Sequence, residues 1–167
     1  MITARFIGIA FALCGPTAAF ACDEVVHSCT FKQGATQVQV CLNPQTVTYD
    51  YGPTGGTPDL SLAVTIADAE YTPWPGVGNA IFEGVTFRNG AFSYEVFGGS
   101  PKLDENDELG PLFGGIIISE NNETIARLSC DEGSVVWAGY GTDGIYGAKT
   151  AAGQCWDSRN RAWELCE

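Results

Sequence analysis

Cys22, Cys29, Cys41, Cys130, Cys155 and Cys166 constrain this chain more than any other feature. An even number of cysteines at wide, irregular spacing predicts a disulfide framework, with the pairing left open. No C-x-x-C pair occurs, so neither a zinc knuckle nor a thioredoxin-like motif is predicted. Disulfides persist in oxidising compartments, which places the expected site of action outside the cytoplasm.

The first residues point the same way. Arg5 is followed by the short apolar run Phe6 to Leu13, the break Gly15-Pro16 and the small-residue pattern Ala19-Phe20-Ala21. That order is the one a secretory signal has. The run is too short to span a bilayer, which takes roughly 20 residues. Residues 1–21 are therefore expected to be a signal peptide, and 22–167 a single disulfide-bonded β-domain in the periplasm or outside the cell. The seventh cysteine, Cys14, would leave with the signal. Cys22 directly follows Ala21, so a lipid anchor on Cys22 is the alternative; it would leave an odd number of thiols. Ala19 and Phe20 match a lipoprotein signal poorly, and a soluble product is preferred.

The chain carries 8 basic and 20 acidic residues. Removing Arg5 takes the net charge from −12 to −13. Such a surface repels nucleic-acid backbones and anionic membranes. It attracts basic partners, most strongly at low salt.

The residue pattern is strands and turns almost throughout. Thr30-Phe31-Lys32 and Thr36 to Leu42 read as a hairpin, with period two in the second arm. Thr46 to Tyr51 is a β-branched and aromatic strand. Leu60, Leu62, Val64 and Ile66 share one face of another. Ile81 to Phe87 and Ala91 to Phe97 flank Arg88-Asn89-Gly90, where Asn-Gly predicts a type I′ turn. Gly115 to Ser119 and Thr124 to Cys130 flank Asn121-Asn122. Residues 143 to 152 have the best helical potential, weakened by glycine. The expected fold is all-β: an antiparallel barrel or sandwich of seven to nine strands, with a short helix or loop near the C-terminus.

Catalytic signatures are sparse. His27 is the one histidine, so sites built on several histidines are excluded; it is expected to be exposed or at a strand edge. Asp104, Glu105, Asp107 and Glu108 form an acidic loop, yet the EF-hand positions for Gly and Glu hold Leu109 and Gly115. No catalytic residue, metal ligand or cofactor is assigned. The aromatics Tyr71, Trp74, Trp137, Tyr140, Tyr146, Trp156 and Trp163 sit among glycines and prolines. Tyr71 and Trp74 are the candidate binding residues, Trp74 because Pro73 and Pro75 hold it rigidly. Trp137 and Trp156, near Cys130 and Cys155, are assigned to the core.

Cys29-Thr30-Phe31-Lys32-Gln33-Gly34, followed by alternating Val38 and Val40, resembles the opening hairpin of periplasmic inhibitors of C-type lysozyme. Val85-Thr86-Phe87 before Asn89-Gly90 is similar to a later hairpin in that family. The resemblance covers under a fifth of the chain and implies a small disulfide-containing β-barrel. The family's Ser-Gly-x-x-Tyr loop has no counterpart at Gly76-Val77-Gly78-Asn79-Ala80, so no inhibitory residues carry over. The reading that follows is an exported acidic binding or inhibitor module, with a basic protein or a glycan as partner. The alternatives are a small carbohydrate-active hydrolase, motivated by Glu70 and Glu83 near Trp74, or a structural envelope protein.

Overall fold

The computed structural model describes residues 22–102, 110–138 and 143–166. The expected signal segment, residues 103–109 of the acidic loop and Tyr140 lie outside the described residues. The described elements, in chain order, are β1 (Glu24–Phe31), β2 (Thr36–Leu42), β3 (Thr46–Pro53), β4 (Leu60–Thr65), β5 (Glu70–Thr72), β6 (Ala80–Asn89), β7 (Phe92–Pro101), β8 (Phe113–Glu120), β9 (Glu123–Ser129), β10 (Val136–Trp137), α1 (Gly144–Ala151), β11 (Gln154–Asp157) and β12 (Ala162–Leu165).

Two five-stranded antiparallel sheets form a sandwich, in the orders β10-β1-β2-β3-β4 and β5-β6-β7-β8-β9. Twelve strands are described, more than the seven to nine expected; eight of them are six residues or longer. The short β5, β10, β11 and β12 carry too few residues to show a period. The choice between barrel and sandwich falls to the sandwich because β4 and β9 end their sheets. A short hairpin, β11-β12, forms a third, two-stranded sheet.

Alternation explains the core. Val38, Val40, Val47 and Tyr49 are inward residues of the first sheet, and Val85, Phe87, Val96 and Ile116 of the second. Each is 4 % exposed or less. Across the sandwich Tyr49 packs its ring 5.3 Å from Phe87 and 5.7 Å from Tyr94. Burying one such side chain contributes about 1.5–3 kcal/mol.

The six cysteines pair as Cys22–Cys41, Cys29–Cys130 and Cys155–Cys166. The second bond joins β1 of one sheet to the residue after β9 of the other. Three disulfides are consistent with an oxidising location. Among the described residues no helix is long and apolar enough to cross a membrane.

The turn chemistry differs from expectation at one place. Asn89 is still paired with Phe92, so the loop is Gly90-Ala91. Gly90 takes φ +61° as its first residue, the requirement of a type II′ turn. Positive φ at both central residues, the type I′ signature, occurs instead at Asn121 and Asn122. The helix forms where predicted. Ile145 and Lys149, four residues apart on one face, are both buried.

Candidate functional site

Glu83 is in phase with Val85 and Phe87 on β6, so its carboxylate faces the core. Tyr71 on β5 lies opposite Val85 and faces the same way. Its hydroxyl donates to Glu83 Oε2. Trp137 Nε1 donates to Glu83 Oε1 at 2.9 Å. Burial raises the pKa of Glu83 above the usual carboxylate range, and the bonds from Tyr71 and Trp137 oppose this.

His27 lies beside this cluster, not at the exposed or strand-edge position expected of it. β1 runs between β2 and β10, and a bulge at Val26 shifts the register between Val25 and His27. The extra residue lets consecutive side chains, Val26 and His27, both be buried. Glycines supply the room. A Cβ at Gly98 would stand 2.6 Å from His27 Nδ1, and one at Gly114 2.8 Å from Cε1. His27 is 5 % exposed, and neither ring nitrogen has a hydrogen-bond partner among the described residues. Burial pushes its pKa down to about 4, so the imidazole is neutral at neutral pH.

Val26, His27, Tyr71, Glu83, Trp137 and Ile145 line a cavity of about 20 Å³. That is room for roughly one water molecule. Acid–base groups therefore converge here without space for a substrate.

A different concavity is open to solvent. Two adjoining hollows, of about 320 and 180 Å³, share Trp156 and Arg161. Pro73 and Pro75 form one wall of the smaller; Trp163 lines the larger. The far wall is the β11-β12 hairpin, closed by Cys155–Cys166. Trp156 and Trp163 are cross-strand partners with ring centroids 5.5 Å apart. At the hairpin tip Asp157 accepts from the Arg159 amide at 2.8 Å and from Asn160 Nδ2 at 2.8 Å. Arg161 follows with φ +54° and is exposed. Among the described residues the ion pair found is Arg88–Glu70, so Arg161 has no carboxylate partner there.

This groove is rigidly held. Lys149 is 1 % exposed and donates to the carbonyls of Ile66, Ala67 and Ala69 at 3.0, 2.9 and 2.9 Å. Burial lowers its pKa, against the opposing pull of Asp68. Its Nζ also stands 5.2 Å from the Trp163 ring centroid, a cation–π contact. Trp163 Nε1 donates to the Tyr71 carbonyl at 2.8 Å. Helix, hairpin and the β4–β5 turn are thus clamped together.

The candidate binding residues separate. Tyr71 is 3 % exposed, so its ring is not a surface anchor; it packs 6.1 Å from Trp163 and serves Glu83. Trp74 is half-buried beside the groove. Its Nε1 donates to the Val77 carbonyl at 3.0 Å, and Lys102 Nζ covers its ring at 4.8 Å. Trp156, assigned to the core by its neighbour Cys155, is only half-buried and lines both hollows. Glu70 and Glu83 do not share a cleft. Tyr71 and Glu83 face inward, so Glu70, next to Tyr71, faces outward and pairs with Arg88 at 2.5 and 2.7 Å. The acidic loop lies outside the described residues.

A larger hollow of about 530 Å³ lies between Leu42, Ile66 and the alanines of α1, with Asp23 and Glu24 at its rim. It offers neither aromatic ring nor cation. No family model matches the chain, and no curated protein or solved structure matches it either.

Proposed function

We propose that this chain is an exported binding module, periplasmic or secreted, whose ligand surface is the groove between Pro73–Pro75 and the β11-β12 hairpin. One observation carries the reading: Trp156 and Arg161 line two adjoining hollows on a hairpin immobilised by a disulfide and by the Lys149 clamp. An indole on a rigid element presents a flat apolar face at low entropic cost. A guanidinium with no carboxylate partner among the described residues offers a planar fork for carboxylate or hydroxyl oxygens. The ligand class with both features is a glycan bearing a carboxylate. The larger hollow has the volume of a small-ligand site. The convergent acid–base groups, by contrast, surround room for roughly one water, which disfavours a hydrolase centred on them.

Titration with uronate-containing and neutral oligosaccharides, followed by tryptophan fluorescence, tests the reading. Binding is expected for the acidic glycans, abolished by Trp156→Ala and weakened about tenfold by Arg161→Ala. Absence of binding to any of the glycans removes the proposal.

The net charge of −12 favours a second reading, binding of a basic protein. The resemblance of the first hairpin to inhibitors of C-type lysozyme makes a basic lysozyme the probe. Electrostatic steering would make the association faster at low salt than at high salt. No association at low salt removes this reading.

A further inference from the structure

His27, Cys29 and Cys130 bring an imidazole nitrogen and two sulfurs within 4.8 Å of one another. His27 and Cys29 are inward residues of β1, two apart. Cys130 follows β9, its amide bonded to the Gly114 carbonyl at 3.0 Å. The His27 imidazole is 5 % exposed, with both nitrogens unpartnered among the described residues. An unmet polar group in a core is costly, so it calls for a physical reason. Gly114 keeps the space open: a Cβ there would meet Cys130 Sγ at 3.4 Å as well as the imidazole.

We propose that this cluster is a redox-gated site for a zinc-class divalent cation, closed while Cys29–Cys130 is a disulfide and open once that bond is reduced. The reductant is a dithiol. Its two electrons and two protons cleave the S–S bond, leaving two protein thiols and an oxidised dithiol. Cation binding then releases both thiol protons to solvent. Two thiolates, a neutral imidazole and a dication carry no net charge, the condition a low-dielectric interior sets. A tetrahedral zinc ion with bonds of about 2.0–2.3 Å needs its ligand atoms about 3.4–3.8 Å apart. The imidazole nitrogen already lies within 4.8 Å of both sulfurs, and reduction frees the two bonded sulfurs to part to that spacing. The adjoining cavity has room for roughly one water as fourth ligand. The site is independent of the groove.

The test uses cobalt(II) as a spectroscopic probe. A variant carrying Cys22→Ser, Cys41→Ser, Cys155→Ser and Cys166→Ser confines the thiols to Cys29 and Cys130. It is reduced without oxygen by a phosphine, which does not compete for the metal as a dithiol would. Near-ultraviolet circular dichroism follows the fold. One equivalent of cobalt(II) is expected to bind with a thiolate-to-metal charge-transfer band, and zinc(II) to displace it. The reduced wild-type chain should behave the same way, and the oxidised chain should not bind. His27→Leu should weaken binding at least about tenfold, and Cys29→Ser with Cys130→Ser should abolish it. The proposal fails if the reduced chain shows no band. It fails equally if the chain unfolds and cobalt does not restore it, if the band survives in the Cys29→Ser, Cys130→Ser variant, or if His27→Leu binds cobalt as tightly as the parent.

Discussion

Trp137 donates its indole N–H to the Glu83 carboxylate at 2.9 Å, tying the edge strand of one sheet to an inward carboxylate of the other. The bond closes one side of the small cavity whose other side is His27. Two titratable groups with opposite pKa displacements therefore share one interior space.

That arrangement predicts an acid limb in stability. The fold accepts neutral His27, with a pKa of about 4 against 6.5 ordinarily. The contribution of His27 is complete above pH 6.5 and is lost as pH falls through about 4. The difference is worth about 3 kcal/mol. Glu83 acts in the opposite sense: with its pKa raised, its contribution is complete below the ordinary value and is lost as pH rises through the raised one. Urea unfolding between pH 7 and 4 should show the loss in the wild type, a steeper loss in Glu83→Gln and a reduced one in His27→Leu. An unchanged pH profile in His27→Leu would refute the assignment.

Gly98 should tolerate no side chain. The methyl of Gly98→Ala would fall 2.6 Å from His27 Nδ1 and 3.2 Å from Trp137 Cδ1. Overpacking of this kind costs about 1–3 kcal/mol. Trimming the obstructing ring in the double variant Gly98→Ala, His27→Ala should recover most of the Gly98→Ala cost relative to His27→Ala alone. Additive costs in a thermal-unfolding cycle would show that the two sites do not touch.

Lys149→Met should destabilise the chain by about 3 kcal/mol or more. It removes a charged donor from three backbone carbonyls in a buried setting. The same change should loosen the hairpin, seen as faster amide exchange at residues 154 to 165. A stability change within about 0.5 kcal/mol would mean that water replaces the ammonium freely.

The disulfides should rank by the loops they close. Cys29–Cys130 spans 101 residues and Cys155–Cys166 spans 11. In the chain-entropy account the longer loop is worth about 2 kcal/mol more. Paired Cys→Ser variants compared by urea unfolding check the order. Equal costs would show that local packing, not loop closure, sets the contribution.

Much of the interior was legible in the sequence. Glu83 shares parity with Val85 and Phe87, a signal that it points inward. Lys149 stands four residues after Ile145, which marks the buried helix face in the same way. What alternation does not carry is the partner. Tyr71, Trp137 and His27 come from strands far apart in the chain, and their meeting depends on sheet order. Trp156 shows the converse: its neighbour Cys155 suggested burial, yet the disulfide of that residue closes an outlying hairpin.

By itself the sequence determined the strand-and-turn character, the acidic charge, the short C-terminal helix and the presence of a disulfide framework. These are properties of local period, composition and count. Only the tertiary structure decided the cysteine pairing, the sandwich over the barrel, the burial of His27 and the groove at Trp156 and Arg161. Each depends on which strands lie side by side. That order is set by contacts between residues more than 100 positions apart, as in Cys29–Cys130 and His27–Trp137, which local pattern does not encode.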